Sequence, residues 1–256
     1  MEPQFVPVAF EDIREAVQGH LAALPSRIDS FLEDHILASS HYRIMIDGAA
    51  AGFASIHGAS LITQFALAQP YKRYGQPAFQ RLRKLEQVQS AFVATYDEFF
   101  LAHALDEYRQ LAKQAYFFSL GRPAQPDRSA GAFTLRQATE ADISFIQQHA
   151  SDFFPSAERY IAAQELFLVQ SGDECVGFGL MDVSALYSDA ASIGMYTIER
   201  VRRRGVATAT ITLLIEECQR RGLQPIAGCW YYNHASKKTL ERAGMFSQSR
   251  LLKIDY

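Results

Sequence analysis

The chain has 256 residues, room for two ordinary domains, and 48% of them are apolar, as in a soluble protein that builds a core. A net charge of -3 argues against broad nucleic-acid binding, and no apolar run reaches the length of a membrane span. Cys175, Cys218 and Cys229 form no Cys-x-x-Cys pair and have no histidine at metal-ligand spacing, so the expected setting is a reducing cytoplasm with no metal, no membrane and no nucleic-acid partner. Met1 to Ala9 carries no signal-peptide pattern.

In the first half, Gly48-Ala49-Ala50-Ala51-Gly52-Phe53 reads as a turn entering a strand, and Leu61 to Leu67 as the next strand. Lys72-Arg73-Tyr74-Gly75-Gln76-Pro77 then opens a helix, Phe92 to Tyr96 is a strand, and Asp97 to Lys113 reads as a long helix. The aromatic residues Phe99, Phe100, Tyr116, Phe117 and Phe118 are expected to pack a core or face a second domain. Ser119 to Ala132, rich in Gly, Pro and Ser without apolar periodicity, reads as a linker with the domain boundary near residue 125. The expected domains are 1–122 and 132–256.

The second half begins with a strand at Phe133 to Gln137, a helix capped by Thr139 with Asp142 three residues on, and a short helix over Ser156 to Gln164. Leu166 to Gln170 and Cys175 to Asp182 form a hairpin about Ser171-Gly172-Asp173-Glu174, and Ser192 to Thr197 is the next strand. A helix follows from Val206, striped by Ala207, Ile211, Leu214 and Cys218 and stopped at Gly222. Pro225 to Tyr232 reads as a buried strand, Ala235 to Ala243 as a helix and Leu251 to Asp255 as a last strand.

Between the strand and the long helix stands Arg202-Arg203-Arg204-Gly205-Val206-Ala207. Unpaired amides at a helix N-terminus carry the positive end of its dipole, and Gly205 lets a phosphate approach the main chain. A solvated basic patch is the plain alternative for the arginines, but the strand before and the helix after favour a phosphate cradle. The spacing resembles the Arg/Gln-x-x-Gly-x-Gly/Ala signature of the GNAT superfamily of N-acetyltransferases, with Arg202, Gly205 and Ala207 at its defining positions, and the order of elements from Phe133 onward matches that family's core.

The resemblance implies an α/β fold of α+β type, two tandem acyl-CoA N-acyltransferase-like domains with a central mixed sheet flanked by helices. It implies acetyl-CoA as co-substrate, its pyrophosphate on the amides of Arg203, Arg204, Gly205, Val206, Ala207 and Thr208 beside Arg202, and its pantetheine along Tyr196, Thr197 and Ile198. Asn233 and Ser236 match the family's Asn-x-x-Ser/Ala element beside the cofactor arm, although Asn233 is also a good N-cap. Acetyl would pass directly to a primary amine of a small molecule or peptide in a ternary complex formed by a monomer or homodimer. The rival is a non-catalytic acyl-CoA-binding or sensing protein.

Where the family often carries a tyrosine acid this chain has Leu240, which leaves Tyr196, Tyr231 and Tyr232 as candidate phenols and Glu199 and His234 as candidate bases. Each has a bland alternative, a core tyrosine, a solvated carboxylate or a helix-start histidine. Cys229, inside an apolar strand, is expected to be buried core rather than a nucleophile. The first half reads as a faded copy of the second, with Gly52-Phe53 answering Gly177-Phe178 and Lys72 to Pro77 answering the cradle. Pro77 stands where Ala207 offers an amide, so the first half is expected to bind cofactor weakly or not at all.

Overall fold

A computed structural model describes residues 2–121, 132–154 and 156–256. The elements run β1 Gln4–Val8, α1 Arg14–Ala23, α2 Ser30–Leu37, β2 Ser40–Ile46, β3 Ala49–His57, β4 Leu61–Leu67, α3 Gly75–Leu82, β5 Ser90–Ala94, α4 Glu98–Ala104 and β6 Gln110–Leu120. They continue as β7 Thr134–Gln137, α5 Ile143–Ala150, α6 Ala157–Ala162, β8 Leu166–Ser171, β9 Glu174–Val183, β10 Ala190–Thr197, α7 Val206–Arg220, β11 Gln224–Trp230, α8 His234–Arg242 and β12 Met245–Asp255. This is a mixed α/β fold.

Two compact units result. One takes the chain up to Phe117 with Trp230–Tyr232 and Gln248–Tyr256, and the other takes Phe118–Cys229 and Asn233–Ser247. In the first unit the strand order is β1-β2-β3-β4-β5-β12-β6, and β12 runs antiparallel to β5 from Leu251 opposite Ala94 to Asp255 opposite Ser90. The last strand of the chain therefore completes the sheet of the first unit, whereas the sequence reading keeps every residue from 132 to 256 in one C-terminal domain. The cause is apolar: Leu251 and Ile254 are fully buried, and Leu252 and Ile254 belong to the core formed by Ile44, Ile56, Phe65, Phe79 and Val93.

The helix expected from Asp97 to Lys113 is a further correction. Asp97 caps it through the amide of Phe100 at 3.1 Å, but it stops at Ala104, and Gln110–Leu120 is a strand. Tyr116, Phe117 and Phe118 are buried along that strand, where aromatic side chains cover a pleated surface better than they fit a helix. Of the expected linker, Ser119 and Leu120 end β6, and 122–131 lie outside the described residues.

In the second unit the order is β11-β10-β9-β8-β7. Thr139 and Asp142 form the expected reciprocal cap before α5, and Gly172 turns the β8–β9 hairpin at a φ of +59°. Arg136 grips Asp142 through two hydrogen bonds of 2.7 and 3.0 Å and holds its carboxyl down at about 2. Helix α7 buries Val206, Ala209, Ile211, Leu214, Ile215 and Cys218, and Thr210 joins that face because its hydroxyl donates to the Val206 carbonyl at 2.8 Å. Gly222, at a φ of +74°, stops the helix where the sequence places its end.

Both units repeat one detail. Gly52 lies opposite Leu67 and Phe53 opposite Ala66; Gly177 lies opposite Thr197 and Phe178 opposite Tyr196. Each glycine is there for contact: an added Cβ would stand 2.0 Å from the Ala66 carbonyl oxygen at Gly52 and 2.5 Å from the Tyr196 carbonyl oxygen at Gly177. The Gly-Phe echo read in the sequence thus marks equivalent places in two folds.

Candidate active site

Strand β10 ends at Thr197, a short 3-10 turn spans Glu199–Val201, and Arg202 to Gly205 lead into α7. Two residues there are left-handed, Arg203 at a φ of +67° and Gly205 at +84°. Left-handed residues in a turn rotate successive N–H groups to one side and make a concavity that accepts an anion. No side chain caps α7, so its first-turn amides remain available to a ligand. Arg202, Arg203 and Arg204 are exposed beside them; Arg202 pairs with Glu199 at 3.1 Å and reaches the Thr197 carbonyl at 3.4 Å. A left-handed arginine costs more than a left-handed glycine, and the run of three arginines in the sequence gave no sign of which one would adopt it.

Beside this loop the sheet opens. β10 and β11 pair in parallel only from Ala190 opposite Gln224 to Ser192 opposite Ile226, although β10 continues to Thr197 and β11 to Trp230. Gly194, Met195, Tyr196 and Thr197 are half-buried, and the Thr197 hydroxyl is buried with no hydrogen-bond partner among the described residues. The residues present fit an acyl-CoA: an unpaired strand edge for an amide-bearing arm, an orphaned hydroxyl beside it, and free helix amides with three guanidinium groups for phosphates.

Asn233 caps α8 by accepting the Ser236 amide at 3.0 Å. His234, the first residue of that helix, is exposed, and Leu240 is buried. Tyr196 is ringed by Phe153 at 5.7 Å and Phe178 at 6.1 Å. Trp230 to Tyr232 cluster with the first unit, and Tyr231 stacks on Tyr116 at 4.7 Å with its amide donating to Gln114 at 2.9 Å. Hydrogen bonds with Tyr116 and Lys113 lower the pKa of the Tyr231 phenol from its ordinary value and make it more acidic. The strand expected to be buried through Tyr232 instead ends at Trp230, which is 59% exposed, as Tyr232 is 53% exposed. Cys229 is half-buried rather than core, because β11 has left its pairing with β10 at that point.

A family model described as "Acetyltransferase (GNAT) domain" matches residues 9–120, and one described as "Acetyltransferase (GNAT) family" matches 133–245. This chain belongs to the GNAT superfamily. Membership places it among acyl-CoA-dependent acyltransferases. Its fold is similar to that of a GNAT-family acetyltransferase from Colwellia psychrerythraea, at 15% identity with 100% of both chains covered and a TM-score of 0.86. It is also similar to a tandem GNAT protein from the clavulanic acid biosynthesis pathway, at 12% identity over 100% of this chain and 98% of that one with a TM-score of 0.64. A third likeness is to a GCN5-related N-acetyltransferase from Sphaerobacter thermophilus, at 13% identity over 84% of this chain and 80% of that one with a TM-score of 0.55. No curated protein sequence matches significantly.

The first GNAT unit departs from the second at the loop itself. Gly75, the counterpart of Gly205, is right-handed at φ -56° and ψ -50°, and its amide donates to Lys72 at the end of a 3-10 helix over Gln69–Tyr74. A Cβ there would stand 2.1 Å from the His103 ring, so this glycine serves the packing of α3 on α4. Pro77 follows in the first turn, with no amide to give.

Proposed function

We propose that the second unit binds acetyl-CoA and transfers its acetyl group directly to a primary amine of a small molecule or peptide, and that the first unit is a degenerate copy without a cofactor site. The observation that carries this reading is the uncapped, left-handed entry to α7 beside a parted β10–β11 pair, set against the closed right-handed turn at Gly75.

In this reading the amides from Arg203 to Thr208 hold the pyrophosphate, Arg202 to Arg204 add charge, and the free edge at Tyr196, Thr197 and Ile198 takes the pantetheine arm. Asn233 and Ser236 fix the start of α8 beside it. Bound acetyl-CoA supplies a thioester carbonyl, and the chain's own work is positioning and proton handling. Glu199 or His234 accepts a proton from the amine, directly or through water, and a phenol among Tyr196, Tyr231 and Tyr232 supports the departing thiol, whose ordinary value near ~8.5 asks for little help.

Calorimetry on the full chain tests the binding claim. One acetyl-CoA site per chain is expected; two comparable sites, or none, overturn it. Release of free CoA thiol across a panel of amines tests the chemistry. Tight binding without turnover on any amine would favour the acyl-CoA-sensing reading, to which the buried Leu240 at the usual acid position also points.

A further inference from the structure

The first unit has its own parting of strands, and a cavity lies there. β4 and β5 pair in parallel only at Leu61 opposite Ser90 and Ile62 opposite Ala91, and beyond that point the space is roofed by α1 and α2. Its walls are apolar, with Leu21 from α1, Leu32 and Ile36 from α2, Phe65 from β4 and Phe92 from β5. Its polar lining is confined to His20, Thr63, Gln64 and Asp97.

Gln64 decides what this cavity takes. Gln64 stands opposite Ser55, just before the register of the β3–β4 ladder shifts between Ser55 and Ile56, and His41 stands opposite Ser55 on the next strand. All three share the face carrying Phe53, whose ring meets His20 of α1 at 5.9 Å, so they point toward the two helices. The His41 Nδ1 lies 2.9 Å from the Ser55 Oγ, and that hydroxyl donates to the Gln64 Oε1 at 3.1 Å. The Gln64 carbonyl is therefore engaged, while its Nε2, on a residue only 5% exposed, is buried with no acceptor among the described residues. Native proteins rarely leave a buried amide unmet, and a ligand oxygen that accepts from it relieves a standing penalty.

Asp97 sets the charge. Its Oδ1 takes the Phe100 amide at 3.1 Å and its Oδ2 lies 3.0 Å from the His20 Nε2, so both oxygens and the facing ring nitrogen are taken up by each other and by the backbone, and neither group is left to pair with a charged guest. We propose that the first unit binds a small neutral aliphatic carbonyl compound in this cavity, its apolar body between α2 and the β4–β5 gap and its carbonyl oxygen accepting from the Gln64 Nε2. The site requires no coenzyme and stands independently of acetyl transfer in the second unit.

The test titrates isovaleramide into the full chain and follows the side-chain amide resonances of Gln64, assigned by their loss in Gln64→Leu. Saturable shifts in the millimolar range are expected for so small a probe. Gln64→Glu keeps an acceptor for Ser55 but loses the donor, and it should weaken binding at least tenfold with acetyl-CoA affinity unchanged. Isovalerate, the anionic analogue, should bind at least tenfold more weakly than the amide. Absence of shifts through the millimolar range, equal binding by Gln64→Glu, or equal binding of isovalerate overturns the proposal.

Discussion

Asp29 shows how one residue can set a pH dependence that no sequence pattern announces. It caps α2 by accepting the Leu32 amide at 3.1 Å, yet burial pushes its carboxyl up to about 6, with the charges of Asp34 and Glu33 adding to the rise. The folded protein therefore holds a proton between about pH 4 and pH 6 that the unfolded chain has released, and stability falls as pH rises through that window. Asparagine caps as well as aspartate and stays neutral. Asp29→Asn is expected to match the parent below pH 4 and to exceed it by up to about 3 kcal/mol at pH 7, measured by urea unfolding at both values. An equal difference at the two pH values would show that burial of charge is not the cause.

Proton transfer during turnover belongs to the same scale. Leu240 is buried and has no ionisable group, so the phenols at Tyr196, Tyr231 and Tyr232 are tested one at a time by phenylalanine. The phenol that serves should lose roughly 10²- to 10⁴-fold in kcat while acetyl-CoA affinity stays within a few-fold, and the other two should stay near the parent. Steady-state rates with calorimetric Kd values read both quantities. If none of the three falls by more than a few-fold, no phenol moves the proton.

At the scale of elements, the entry to α7 is where backbone conformation and proposed chemistry coincide. Gly205 sits at φ +84°, where a β-branched side chain is strained and where a Cβ would enter the space a phosphate needs. Gly205→Val is expected to abolish acetyl-CoA binding and to leave the far-ultraviolet circular dichroism close to the parent. Arg202→Ala, which loses one guanidinium already shared with Glu199, should weaken binding by a smaller factor. A Gly205→Val chain that binds acetyl-CoA like the parent would place the phosphate elsewhere.

The strand-loop-helix order around this entry was legible because each element advertises itself: near-continuous apolar runs in β9 and β10, a 3.6-residue stripe in α7, and glycine at the hairpin turn and at the end of α7. Other elements were illegible for physical reasons. Asp97 to Ala104 is a well-capped helix, and nothing local in Leu105 to Arg109 ends it; Gln110–Leu120 becomes a strand because a sheet with buried neighbours awaits Tyr116, Phe117 and Phe118. The exposure of Cys229 and Trp230 depends on the lost pairing of β11 with β10, a tertiary fact with no trace in an apolar run. Gln64 and Ser55 stood in plain view as polar residues inside apolar strands, a signal that passes for ordinary alternation until their partners are known.

At the scale of the whole molecule, the repeat read from Gly52-Phe53 and Gly177-Phe178 corresponds to two GNAT units, but the chain does not divide into them at one cut. Gln248–Tyr256 belongs to the first unit although it follows the second in sequence, and it fills the place beside β5 with Leu251, Leu252 and Ile254. Full burial of an aliphatic side chain contributes about 1.5–3 kcal/mol, so three of them amount to much of the 5–15 kcal/mol that usually holds a domain folded. A chain ending at Ser247 is therefore expected to lose cooperative folding of the first unit, with β5 and its core exposed. Hydrogen exchange read by mass spectrometry should show the amides of Ser90 to Ala94 protected in the full chain and exchanging rapidly in the truncated one. A synthetic peptide spanning 245–256 added in trans should restore part of that protection. If Ser90 to Ala94 remain protected without the last strand, β12 is an addition to a first unit that is complete in itself, and the domain boundary belongs between the halves, as the sequence alone suggests.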